Sequence, residues 1–542
     1  MTLETWLQSA LADADRRQLP QLKPLLEGLA LSLTTLRRAD FCTDAAPRRG
    51  AAAHPVATSG LFPTHGTPSS HAQTPTPASQ ADGSAPATRG QRIPRPPLTS
   101  LTAFADQLRA RHTSSQATTD ACLRAIADRD PELNAFILVM ADQARAQARQ
   151  ADAELAAGLD RGPLHGVPIS LKDLVDVRGI ATTAASRLRA SDVASVDASV
   201  VVRLRHAGAV LIGKTNLHEF AFGTTTEDSG FGAARHPLDP SRSPGGSSGG
   251  SAISVVTGMA LGSIGTDTGG SIRIPSAACG LVGLKPTMGE VATDGVVPLS
   301  ATLDHVGPLA QTVSDAWHIH QALLGHPQSR PLSAAPLAGL RVGVPRRYFC
   351  DVLEPGIRAA FDSAVTTLES AGARVAQVDV AHADQIAAIY LQIVLAEAAA
   401  YHAATLESAP DAYSLPVRLR LEMGRYVLAE DYLRALTGRE QLRREVDSAL
   451  SWHDVLLLPT LPIVAPPLGA PTVTIDGTPH QVRNLMLRLT QLFNITGHPA
   501  VSLPCGAGAE GLPAALQIVG RRHETDVLMH VALGIERALE AG

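Results

Sequence analysis

The stretch that most constrains this chain runs from Pro244 to Thr287 and reads PGGSSGGSAISVVTGMALGSIGTDTGGSIRIPSAACGLVGLKPT. It contains two Gly/Ser-dense turns, Gly245–Ser251 and Thr266–Ser271, joined by the apolar segment Ile253–Ile264. Glycines let a backbone approach a ligand closely and aim several N–H groups at one point. Serines between such glycines are either turn formers or hydroxyls presented for chemistry. A phosphate cradle of the P-loop kind needs Gly-Lys-Ser/Thr after its glycines, and neither turn has it. Upstream, Lys172 stands in the apolar context Val167-Pro168-Ile169-Ser170-Leu171-Lys172-Asp173. A lysine shielded from water loses its proton more readily and can act as a base. The chain therefore offers two presented serines and a candidate buried lysine.

At 542 residues the chain is long enough for a large α/β domain with an appendage. A hydrophobic share of 45% against 18% charged is globular, and a net charge of −5 gives no nucleic-acid footprint. The five cysteines (Cys42, Cys122, Cys279, Cys350, Cys505) have no CxxC or paired spacing. That pattern points to a reducing, cytoplasmic setting and away from a metal cluster. No signal-peptide pattern or membrane span is read from the sequence.

Residues 1–42 are expected to form a small helical module, because Leu22, Leu25, Leu26, Leu29, Leu33 and Leu36 make one apolar face. Such a face needs a partner, either the main body or another protomer. Residues 43–97 are rich in Pro, Ser, Thr, Ala and Gln and poor in large apolar side chains, so they read as a disordered linker. The remaining 98–542 is the main domain. Helical patterns lie in TDACLRAIADRD, ADQARAQARQADAELAAG and Ala198–Ala207. Buried strands are expected at Gly162–Leu171 (a turn, then the strand), Ala209–Gly213, Leu340–Val344, Val455–Leu458 and Ala500–Leu503. A further helix carries Ile357, Phe361, Val365 and Leu368 on one face. This alternation implies an α/β sheet covered on both faces.

The Gly245–Pro286 stretch closely resembles the signature of the amidase signature family of serine hydrolases. The resemblance extends from about residue 125 to about residue 538 and includes GVPISLKD before the signature and LPAALQIVGRRHETD near the end. It implies a large mixed twisted β-sheet sandwiched between α-helices, with the N-terminal helical segment as an appendage. It also implies an amide-bond hydrolase that needs no cofactor and no metal, with a small-molecule amide as its partner and a homodimer among the expected assemblies. In this family a helical stretch such as 383–450 shapes the substrate pocket, and pocket residues are expected there and around Arg483–Phe493. The N-terminal module resembles the small helical protein that accompanies some bacterial amidases of cyanurate degradation. Its plain alternative is a capping helix pair.

The family's Ser–cis-Ser–Lys triad matches Ser271, Ser247 and Lys172 in this chain. A serine hydroxyl is a poor nucleophile until a base takes its proton. On the family pattern neutral Lys172 accepts a proton from Ser247, Ser247 from Ser271, and Ser271 attacks the acyl carbon. The Gly246–Ser247 peptide is expected to be cis. The backbone N–H groups of Thr268, Gly269, Gly270 and Ser271 are the natural oxyanion donors. Asp267 and Arg273 are expected to pair and hold the loop. Ser170 and Ser248 are expected to hydrogen-bond to Lys172 or to the loop. Cys279 reads as a buried structural thiol.

The chain departs from the family pattern at His236-Pro237-Leu238-Asp239, where Asn-Pro-Trp-Asp is usual, and at Gly289-Glu290 and Ala310-Gln311. None of these touches the triad residues; they bear on substrate recognition. Two other readings stand beside the main one. Gly245–Gly249 formally fits the G-x-S-x-G nucleophile elbow, which makes Ser247 the nucleophile and requires a histidine such as His305 or His318. The same signature also occurs in the glutaminase subunit of tRNA-dependent amidotransferases, and ureido or carbamate hydrolases of the allophanate or carboxybiuret kind share it.

Overall fold

The computed structural model describes residues 1–41 and 100–541; the expected linker 43–97 and Cys42 lie outside them. Among the described residues thirteen strands form: β1 (Phe136–Val139), β2 (Pro168–Lys172), β3 (Val210–Thr215), β4 (Gly262–Asp267), β5 (Val282–Lys285), β6 (His305–Ala310), β7 (Arg341–Pro345), β8 (Arg374–Val378), β9 (Val455–Pro459), β10 (Thr472–Ile475), β11 (Thr478–Gln481), β12 (Ala500–Ala507) and β13 (Pro513–Val519). Eleven make one sheet in the order β1-β3-β2-β4-β6-β5-β12-β13-β9-β7-β8, and β10–β11 is a separate hairpin.

The sheet is mixed. β3, β2 and β4 run parallel, as do β9, β7 and β8, while the strands between them pair antiparallel. The five strands expected from the sequence all form, within a few residues of the expected ends. Every residue of β2, β3, β4, β5, β6, β9 and β13 is buried, which is why these segments read as continuous apolar or small-residue runs. The segment joining the two Gly/Ser turns divides into the helix Gly249–Val256 and β4.

The N-terminal segment forms helices Leu3–Arg16 and Lys23–Arg38, which share one compact unit with the body. Leu26, Leu29, Leu33 and Leu36 bury the expected face, against helices Ile386–Tyr401 and Ala429–Trp452. Polar anchors add to that contact. Trp6 Nε1 donates to the Tyr426 carbonyl at 3.0 Å, Arg17 pairs with Glu422 at 2.6 Å, and Arg37 pairs with Asp431 at 2.6 Å. Residues 383–401 are long and apolar enough to cross a membrane by length and composition alone. In the fold this stretch is a core element, with Ile386, Ile389, Ile393, Val394 and Leu395 all buried.

Candidate active site

β2 and β4 are parallel neighbours, so their carboxyl ends lie side by side, where ligands of open α/β sheets bind. Lys172 ends β2 and Asp267 ends β4; the turn Thr268–Ser271 follows, leading into the helix Arg273–Cys279. The first Gly/Ser turn leads into the helix Gly249–Val256. Its Gly246–Ser247 peptide bond is cis, as the resemblance implies. Thr226 supports this turn, donating through Oγ1 to the Gly245 carbonyl at 2.8 Å.

Lys172 and Ser247 are fully buried, while Ser271 keeps 6% exposure. Lys172 Nζ donates to Ser247 Oγ at 2.7 Å and to Thr266 Oγ1 at 2.8 Å. Burial pushes the Lys172 ammonium down to about 7, against the opposing fields of Asp267 and Asp304. Asp173, its chain neighbour, faces away: its carboxylate pairs with Lys214 at 2.6 Å and accepts from the Thr183 amide at 3.0 Å. The main chains of the two serine turns touch where the Ser248 amide donates to the Ser271 carbonyl at 3.3 Å.

The second turn is held from several sides. Asp267 accepts from Arg273 Nη2 at 2.9 Å, from Arg273 Nε at 3.0 Å and from the Ile272 amide at 3.1 Å. Burial alone would raise the Asp267 carboxyl, but Arg273, Asn494 and Lys285 outweigh it and hold the group well below the usual carboxylate range. Thr490 Oγ1 donates to the Gly269 carbonyl at 2.6 Å. A Cβ on Gly270, whose φ is +142°, would run into the Thr490 hydroxyl, so only glycine fits there. Among the described residues, the amides of Thr268, Gly269, Gly270 and Ser271 donate to no protein acceptor.

Most predicted site residues meet here, with one correction. Ser248 Oγ donates to the Thr266 carbonyl at 3.3 Å, within the loop as expected. Ser170, expected to reach Lys172 or the loop, instead bonds Ser254 and Ser263, each at 2.8 Å. Two residues along a strand separate side chains by about 6.6 Å. Ser263 of β4 sits directly across from Ser170 and is the nearer partner. Cys279 is buried, as expected. His318 bonds Ser329, and His305 Nδ1 lies at 2.7 Å from the Leu303 carbonyl. No histidine among the described residues bonds Ser247 or Ser271, so the elbow reading lacks its base.

Sequence reasoning missed Thr266, Asp304, Asn494 and Gln517, and it placed Thr490 only within the expected pocket segment Arg483–Phe493, not on the turn. Thr266 opens the second Gly/Ser turn, and the period-2 pattern of β4 was its available signal. The others lie more than thirty residues from the turn they support.

A family model described as Amidase matches residues 117–528. An amidase of Pseudomonas putida is 41% identical over 452 residues, covering 81% of this chain and 95% of the relative. A glutamyl-tRNA(Gln) amidotransferase subunit of Heliobacterium modesticaldum is 37% identical over 446 residues, covering 76% and 90%. A crystal structure of an amidase superposes with a TM-score of 0.76 at 37% identity, covering 81% of this chain and 99% of that one. A buried lysine, two Gly-framed serines and a mixed sheet that matches these enzymes lead to one conclusion: the chain belongs to the amidase family and is a hydrolase of amide carbon–nitrogen bonds.

Proposed function

We propose that Ser271 is the nucleophile, Ser247 the proton relay and Lys172 the base of an acyl-enzyme mechanism. The observation that carries this reading is the 2.7 Å contact from the fully buried Lys172 Nζ to Ser247 Oγ, in a setting that pushes the ammonium down to about 7. Neutral Lys172 takes the Ser247 proton as Ser247 takes that of Ser271. The Ser271 oxygen forms a bond to the acyl carbon, and the carbonyl oxygen becomes an oxyanion. The unengaged amides of Thr268, Gly269, Gly270 and Ser271 are suited to receive it. Collapse breaks the C–N bond, and the amine or ammonia leaves with a proton from Ser247, which Lys172 replenishes. Water then attacks the ester, giving its proton back along the same path, and carboxylate is released. No step calls for a metal or cofactor. The four described cysteines are free, which suits a cytoplasmic enzyme. Hydrolysis of a panel of amides, esters and ureas, with ammonia and free amine both measured, tests the reading. No turnover on any amide with the intact chain would remove it.

A narrower substrate class is favoured by Arg483. Tyr390 stands against Gly269 of the second turn and lies in the field of Arg483. Arg483 Nε is buried with no hydrogen-bond partner among the described residues. Burial lowers the Arg420 guanidinium to about 9, and Arg483 adds to the shift. Arg420 donates to the Phe222 carbonyl at 2.6 Å and lies 4.0 Å from Asp228, so Arg483 is the cation left to favour an amide that carries a carboxylate, glutamine and ureido-carboxylates included. A carboxylated amide turned over no better than its neutral counterpart would exclude this class.

A further inference from the structure

Thr266 and Thr268 flank Asp267 and project to the same side, following the period-2 pattern of an extended chain. Both line a cavity of about 230 Å³, with Leu174, Val296, Asp304 and His305 among the other walls. Thr266 is the second partner of Lys172, at 2.8 Å. Thr268 Oγ1 donates to Asp304 Oδ1 at 2.5 Å. The other Asp304 oxygen accepts from the Leu299 amide at 2.9 Å and the Ser300 amide at 3.1 Å. One carboxylate thus holds the turn that carries Ser271 to the segment before β6. It does so on the wall of the cavity that Lys172 touches through Thr266.

We propose that Asp304 is a positioning residue for amide hydrolysis: it clamps the Thr268–Ser271 turn and sets a negative charge on the cavity wall beside Thr266, the second partner of Lys172. The proposal rests on Lys172 acting as the base. The clamp fixes the turn whose amides are suited to the oxyanion, so loosening it costs turnover. The charge acts by field. An anion near Lys172 favours the ammonium, and Asp304 is one of two carboxylates that oppose the effect of burial there.

The surrounding groups leave this role to Asp304 and Asp267. Ser247 and Thr266 are neutral partners of Lys172. Asp173 and Lys214 are paired with each other. Asp267 is engaged by Arg273 and Asn494. His305 is held well below its ordinary value by burial and the Lys285 charge, so it is neutral. The Tyr390 phenol lies in the field of Asp304 and is pushed up by burial, so it too is neutral. Glu397 bonds Ser300 and Thr302, and Arg439 donates to Thr302, beyond the clamp. Burial raises the Asp304 carboxyl to about 6, so it is mostly ionised at pH 7 and itself takes up a proton further down the acid limb.

The test is the pH profile of kcat/KM with kcat measured separately, on the full chain, for Asp304→Asn, Thr268→Val and Lys172→Ala. Asp304→Asn keeps an acceptor for Thr268 but removes the charge. Its acid limb should move to lower pH by roughly half a unit to one unit. Thr268→Val keeps the charge and removes the clamp, so kcat should fall about tenfold with the limb in place. A purely structural Asp304 would lower activity without moving the limb, and that result overturns the charge. An unchanged kcat in Thr268→Val overturns the clamp, and this variant stands as a test even where Asp304→Asn fails to fold. If residual activity in Lys172→Ala keeps the wild-type acid limb, the base assignment itself has failed. If that limb vanishes in Lys172→Ala yet stays put in Asp304→Asn, the base stands and the proposal for Asp304 falls.

Discussion

Asp267 and Arg273 meet as a bidentate pair around the turn that carries Ser271, with Oδ1 2.9 Å from Nη2 and Oδ2 3.0 Å from Nε. Both side chains are fully buried. The remaining guanidinium donors reach the Thr490 carbonyl, Gln517 and Asn494, at 2.9, 3.1 and 2.7 Å. A planar fork is therefore used on every side, a geometry a lysine does not offer.

Removing one member leaves a buried charge alone. Arg273→Met should cost about 3–5 kcal/mol of stability and most of the activity. Arg273→Lys should recover little. Chemical denaturation monitored by fluorescence checks this, and a midpoint equal to wild type for Arg273→Met would show that the pair is dispensable.

Lys172 should impose an acid limb. With the ammonium pushed down to about 7, the base is neutral above that pH and protonated below it. Activity should hold on the alkaline side and fall close to tenfold per pH unit below the limb. Lys172→Arg should be nearly as inactive as Lys172→Ala, because arginine stays protonated. Near wild-type amide turnover by Lys172→Arg would mean that only a positive charge is needed there.

The two serines should fail differently. Ser271→Ala removes the atom that becomes acylated, so intact-mass measurement after mixing with substrate should show no adduct. Ser247→Ala leaves that atom but cuts its link to Lys172, and acylation should slow by about 10²–10⁴-fold. An adduct retained in Ser271→Ala would move the nucleophile elsewhere.

The N-terminal helices should matter through charge as well as packing. Asp431 is 2% exposed and Arg37 is its partner at 2.6 Å. Arg37→Ala should lower stability by about 2 kcal/mol, since it removes charged hydrogen bonds from a buried carboxylate. Adding Asp431→Asn should restore part of the loss, because the buried charge is then gone. A double variant less stable than Arg37→Ala alone would contradict the account.

The parts of the site that share a short stretch of chain were legible in the sequence. Gly246, Ser247, Asp267, Gly270, Ser271 and Arg273 lie within one signature, and the apolar setting of Lys172 marked it as shielded. The continuous apolar runs that became β2, β3, β9 and β12 were equally plain. What pattern could not supply was long-range closure. The contacts of Thr490, Asn494 and Gln517 with the second turn join segments more than two hundred residues apart. Ser170 failed for a related reason, since its partner was decided by the register of β2 against β4. The antiparallel strands between the two parallel groups are likewise set by pairing, which no local period records.

Lys172 at the end of β2, Ser271 in the turn after β4 and Ser247 in the turn before helix Gly249–Val256 carry the groups assigned to the chemistry, and Tyr390, which stands against Gly269, comes from far downstream. Tyr390, Arg420 and Arg483 sit on helices Ile386–Tyr401, Leu415–Gly424 and Val482–Arg488. On the proposed function, bond breaking and substrate choice fall to separate stretches of chain. A lineage can exchange the helical stretch and acquire a new diet while the reacting groups stay as they are.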